Sequence, residues 1–145
     1  MWYTYARMTS PRGLSMVNVV LISLVFLAVI FFGLRVIGSE RAKARDAQRV
    51  ADMARLQVAF LLLYNRTSSY AGAAENGCNQ VHAPARTCNL KEEFSSIATL
   101  RDPRGGDYLV TKVPDASGYE VSFSLEQGAT GLAAGKHILT PAGIQ

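Results

Sequence analysis

The chain has 145 residues, 49% of them hydrophobic and 18% charged, with a formal net charge of +4. That length allows one small core with an accessory element and excludes two ordinary cores. Residues 35–66 carry net +4 while residues 67–145 carry net −2, so the basic excess lies beside an apolar run, which argues against a nucleic-acid partner.

The first element in chain order is that apolar run. From Gly13 through Leu34 no residue is charged, and these 22 residues at about 1.5 Å each give about 33 Å of helix, close to the hydrocarbon thickness of a bilayer. The run passes into GLRVIGSERAKARDAQR without a small-residue exit of the A-x-A kind, so it reads as a retained span and not as a cleaved secretory signal. One amide, Asn18, lies inside it; a bond across to another helix, or an amide tolerated one turn inside the interface, accounts for it without any special role.

Helix continues beyond the span. SERAKARDAQRVADMARLQVAFLLLYNR has no proline or internal glycine and is rich in Ala, Arg, Leu and Gln. Ala47, Val50, Ala51, Ala54, Val58, Leu61 and Leu62 follow three-and-four spacing and predict one apolar face, widened by Met53, Leu56, Phe60, Leu63 and Tyr64 in the last turns. Arg45, Arg49, Asp52 and Arg55 predict a solvated opposite face. Gly33 and Gly38 weaken the helix locally and mark a point of bending just outside the membrane. Short polar residues in NRTSSYAG end the helix between Asn65 and Ser69.

A loop follows, with Cys78 and Cys88 ten positions apart. A disulfide across it is worth about 2–3 kcal/mol in the chain-entropy model and persists only in an oxidising compartment. The other reading, zinc held by the two cysteines with His82 and His137, has a spacing that matches no common zinc pattern. KEEFSSIATL reads as a short helix with Leu90, Phe94, Ile97 and Ala98 on one side. The period then changes to two. YEVSFSL (119–125) alternates apolar and polar residues, YLVTK (108–112) precedes it across a PDASG turn, and KHILT (136–140) follows through GATGLAAG as a connecting loop. These predict an α+β fold in which a three-stranded antiparallel sheet lays its apolar face on the widened end of the helix.

Catalytic chemistry has few candidates here. His82 and His137 are the only histidines that could serve as bases, no serine sits in a G-x-S-x-G elbow, and RDPRGGDY lacks both the phosphate-loop and the calcium-loop patterns. The expectation is no enzyme and no cofactor.

PRG before LSMVNVVL, the ARDA run leading to LLLYNRTSSY, and the distal RDPRGGDYLV, GYEVSFSLE and LAAGKHILTPAGI together resemble the type IV pilin and type II secretion pseudopilin superfamily. The resemblance implies a leader over 1–13 removed by a prepilin peptidase between Gly13 and Leu14, a membrane and filament-core helix over 14–37, an amphipathic helix over 38–66 and a head over 67–145 outside the cytoplasm. It implies methylation of Leu14 and partners that are like subunits, the peptidase and a membrane assembly platform. Asn18 would be the fifth mature position, where the family usually has a glutamate that pairs with a neighbour's N-terminal ammonium; an amide there favours a minor pilin or pseudopilin. Some pilin-like heads bind calcium in their loops, which makes Asp102 and Asp107 the carboxylates to examine. The positive-inside count, with five basic residues from Arg35 to Arg49 after the span, opposes this orientation. The rival expectation is a permanently anchored extracytoplasmic binding module that never polymerises.

Overall fold

The computed structural model describes residues 15–145. Helix α1 runs from Met16 to Thr67, and its helical hydrogen bonding continues through Gly33 and Gly38. Contacts divide the chain between Gly38 and Ser39. In the first unit the helix is exposed throughout, with no side chain from Met16 to Ile37 covered by the rest of the chain. Its end is marked by Arg35, whose guanidinium lies 5.0 Å from the centre of the Phe31 ring.

In the second unit the helix stops where its short polar residues predict. The Thr67 hydroxyl bonds the Leu63 carbonyl at 2.9 Å, and Ser68 takes a left-handed φ of 56°. Four strands follow: β1 (Leu109–Lys112), β2 (Glu120–Ala129), β3 (Leu132–Thr140) and β4 (Gly143–Ile144), antiparallel in the order β1-β2-β3-β4. The expected α+β arrangement is present, with one strand more than the sequence predicts.

The extra strand is β4, which pairs with the end of β3 at Leu139 and Thr140, while the extra length of β2 and β3 lies at their shared turn. GATGLAAG is not a connecting loop but the tip of the β2–β3 hairpin, where Thr130 and Gly131 both have positive φ (51° and 86°), the twist a two-residue hairpin turn requires. The alanines and glycines flanking that turn pair as strand because the backbone ladder, and not side-chain pattern, holds them. KEEFSSIATL also departs from expectation: it forms turns and a single 3-10 segment at Ile97–Thr99, since Ser95 and Ser96 interrupt helix propagation in its centre. The PDASG turn is as predicted, with the Asp115 carboxylate accepting from the amides of Ser117 and Gly118.

The core lies between α1 and the sheet. Met53, Leu56, Ala59, Phe60 and Leu63 meet Val110, Tyr119, Val121, Phe123, Leu125 and Leu139, and Phe60 stacks on Tyr119 with centroids 3.7 Å apart. Cys78 and Cys88 are joined as a disulfide, buried against Ala73 and Leu90. This settles the zinc alternative against itself, because both sulfurs are bonded to each other. The short loop forces a close approach at Gly77, where a Cβ would lie 2.1 Å from the Thr87 carbonyl oxygen. Residues 82–85 pair along the outer side of β1, with the His82 amide donating to Val110 O at 2.7 Å and the Ala85 amide to Tyr108 O at 2.8 Å, so that edge is covered.

Candidate functional site

Two rows of side chains on α1 define the site. Ala42, Asp46, Arg49, Met53, Leu56, Phe60 and Leu63 alternate four- and three-residue steps and are all buried by the sheet and loops. Ala47, Ala51, Ala54, Val58 and Leu61 follow the same steps, with Leu62 beside them, and are all exposed. At about 100° per residue the two rows are about 160° apart. Met53, Leu56, Phe60 and Leu63 are thus covered by the sheet as predicted and Val50 is half-buried beside them, but Ala47, Ala51, Ala54, Val58, Leu61 and Leu62, predicted to be covered with them, are not, and the covered row runs on instead through the charged Asp46 and Arg49. Val58, Leu61 and Leu62 keep 55%, 51% and 47% exposure, which leaves an apolar stripe on the side opposite the sheet.

The predicted solvated face is equally displaced. Arg55 is exposed, but Arg49 and Asp52 are buried and Arg45 is half-buried. Arg49 makes a paired contact with Asp102 (Nε to Oδ2 2.6 Å, Nη2 to Oδ1 2.8 Å) and also donates to Asp46 and Glu126, each at 2.8 Å. Arg45 grips both oxygens of Glu126 at 2.7 Å. Asp46, fully buried, accepts from the amides of Glu126, Gln127 and Gly128 at 2.7–3.0 Å, where β2 bulges between Leu125 and Gly128. Gly128 has φ 96°, and a Cβ there would meet Leu132 O at 2.4 Å, so the bulge that Asp46 holds needs glycine. The Tyr108 hydroxyl donates to Asp52 at 3.0 Å. Together these bonds form a polar clasp between the helix and the sheet.

Ionisation follows from this geometry. The Arg45 guanidinium, and then Arg49, hold the Glu126 carboxyl down at about 2 against the cost of its burial. Burial pushes Asp46 up, but the amides of Gln127 and Glu126 and the Arg49 guanidinium outweigh it and leave the pKa below the ordinary value. Arg49 lowers Asp102 in the same way. Asp52 moves up, because burial exceeds what the Tyr108 hydroxyl returns. The lowered carboxyls stabilise the fold above their unfolded values near pH 4, and that contribution is lost as pH falls through the folded values; Asp52, with a raised pKa, has the opposite sign. Thermal melts of the full chain in detergent therefore show stability falling from about pH 5 downward, and Glu126→Gln makes that fall shallower.

Gly13 and Leu14 lie outside the described residues. Asn18 is exposed in the first turn of α1, among apolar neighbours. Asp102 and Asp107 do not converge: the first is taken by Arg49 and the second by Arg86 at 2.8 Å. Among the described residues no three His, Cys, Asp or Glu side chains are placed to hold a metal ion. His82 is exposed with a left-handed φ of 68°, while the His137 ring lies 2.8 Å from Ala133 O and 3.3 Å from Gln145 O. The clasp was legible only as spacing, since Asp46 and Arg49 continue the Met53, Leu56, Phe60, Leu63 row toward the N-terminus.

Among the described residues one helix, near the N-terminus, is long and apolar enough to cross a membrane. No family model matches the sequence, no curated protein matches it, and no solved structure matches the chain.

Proposed function

We propose that this chain is a pilin-like structural subunit, a minor pilin or pseudopilin, that is held in the membrane by the apolar half of α1 and assembles with like subunits through its helix. The observation that carries this reading is the exposed apolar stripe from Ala47 to Leu62, on the half of the helix that bears the sheet. A lipid anchor explains exposed apolar residues only within a bilayer's thickness, about 30 Å. It does not explain a second row beyond Gly38 that faces away from the protein's own core. A partner helix of matching character explains it, and like subunits provide one.

On this reading the leader ends at Gly13, Leu14 becomes the first mature residue and is methylated, and Asn18 replaces a charge with an amide that still hydrogen-bonds at less cost in lipid. The head stands outside the cytoplasm, which the buried disulfide supports. Partners are other pilin-like subunits, a prepilin peptidase and a membrane assembly platform, and the role is structural, not catalytic.

Mass spectrometry of the chain expressed with and without a prepilin peptidase tests this. The expected result is loss of the thirteen leader residues only when the peptidase is present. A chain of unchanged mass in both cases favours the permanently anchored binding module instead.

A further inference from the structure

A cavity of about 430 Å³ opens where α1 ends, lined by Leu63, Arg66, Glu75, Asn89, Glu92 and Glu93 among others. Arg66 is the only cation in this lining, set against three carboxylates. It is shared between Glu92 and Glu93, pairing with one oxygen of each. The Glu93 side chain is only 7% exposed, and its other oxygen, Oε2, is the one buried side-chain polar atom among the described residues with no hydrogen-bond partner. The Glu93 charge is paired through Oε1, but a buried oxygen left without a donor is costly, so a further donor that reaches it would stabilise the fold.

The rest of the lining says what that is. Glu75 and Glu92 add two more carboxylates, while the Thr67 hydroxyl is bound to the Leu63 and Ser69 carbonyls and the Asn89 amide N–H to the Gly72 carbonyl, so the lining is richer in acceptors than in free donors. A metal ion does not suit the site, because its carboxylates do not converge as ligands. We propose that this cavity binds a cationic N–H donor, a guanidinium or primary ammonium group, which takes the free oxygen of Glu93 when Arg66 turns to Glu92 alone. Oε2 is sealed from solvent, and Arg66, which holds the other oxygen, has a side chain that is 53% exposed and free to swing aside. The donor comes either from a basic side chain of a second copy or from a free amine.

The test uses the full chain in detergent, melted in methylguanidinium chloride and, at equal ionic strength, in tetramethylammonium chloride, a cation of the same charge without N–H groups. Methylguanidinium is expected to raise the wild-type Tm by several degrees over the control, Glu93→Gln to abolish that rise, and Arg66→Ala to enlarge it. Particle size separates the two sources. An oligomer that shrinks on adding methylguanidinium identifies a side chain of a second copy; a raised Tm with unchanged size identifies a free amine. The proposal is overturned by equal shifts in the two salts, by a shift that survives Glu93→Gln, by no gain in Arg66→Ala, or by stabilisation with calcium alone. None of these outcomes depends on whether the chain assembles as a pilin.

Discussion

Arg49→Ala lowers the stability of the head by about 3–5 kcal/mol, the loss expected when one partner is removed from a buried ion pair. The cause is not only the lost contacts. Without the guanidinium, fully buried Asp46 keeps its three amide donors but loses its ion pair, while Asp102 and Glu126 are left close to each other with less positive charge between them. Denaturant unfolding in detergent measures the effect, and a melting point lower by on the order of 10 °C or more accompanies it. Arg49→Lys recovers only part of the loss, since an ammonium cannot reproduce the two parallel bonds to Asp102. Arg55→Ala is the control: its side chain is 68% exposed and 3.7 Å from Asp52, so its removal stays within about 0.5 kcal/mol. An Arg49→Ala protein as stable as the control would show that the clasp contributes nothing net.

If the chain assembles as proposed, the second large effect is on assembly and leaves the fold intact. Val58→Asp combined with Leu61→Asp places two charges on the exposed stripe, where neither side chain supports the core. Head stability is expected to stay within about 0.5 kcal/mol, as for surface changes generally. Incorporation into filaments, followed with a label on this chain, is expected to be lost, because two charges would have to be buried unpaired against a neighbouring helix. A permanently anchored module predicts the reverse, a double variant indistinguishable from wild type in location and behaviour. Normal incorporation of the variant removes the stripe as the assembly surface.

What the sequence made legible, and what it hid, follows from how much each pattern depends on local chemistry. The long helix, its end near Thr67, the Asp115 turn and the alternation of Val121, Phe123 and Leu125 are set within a few residues, and all appear as expected. The sheet lies on Met53, Leu56, Phe60 and Leu63 as expected, but the burial of the turns before them differs from expectation because hydrophobicity is a poor guide where charges are matched. Ala47, Ala51, Ala54 and Val58 make the cleaner apolar row, yet the row with Asp46 and Arg49 is buried, since Asp102 and Glu126 neutralise it from 53 and 77 residues away along the chain. No local signal announces such partners. The β2–β3 hairpin was hidden for a different reason. Ala133, Ala134 and Gly135 have no polar or large apolar side chains to alternate, and only the positive φ of Thr130 and Gly131 shows that the chain reverses there.

The grip of Asp46 on β2 also has a mechanical meaning. Its carboxylate holds three successive amides, and Arg45 and Arg49 hold the neighbouring Glu126, so a load passing between helix and strand is shared among several bonds. Bonds loaded together must break together, whereas bonds loaded in turn unzip one at a time. The sheet is thus fastened to the helix at several points at once.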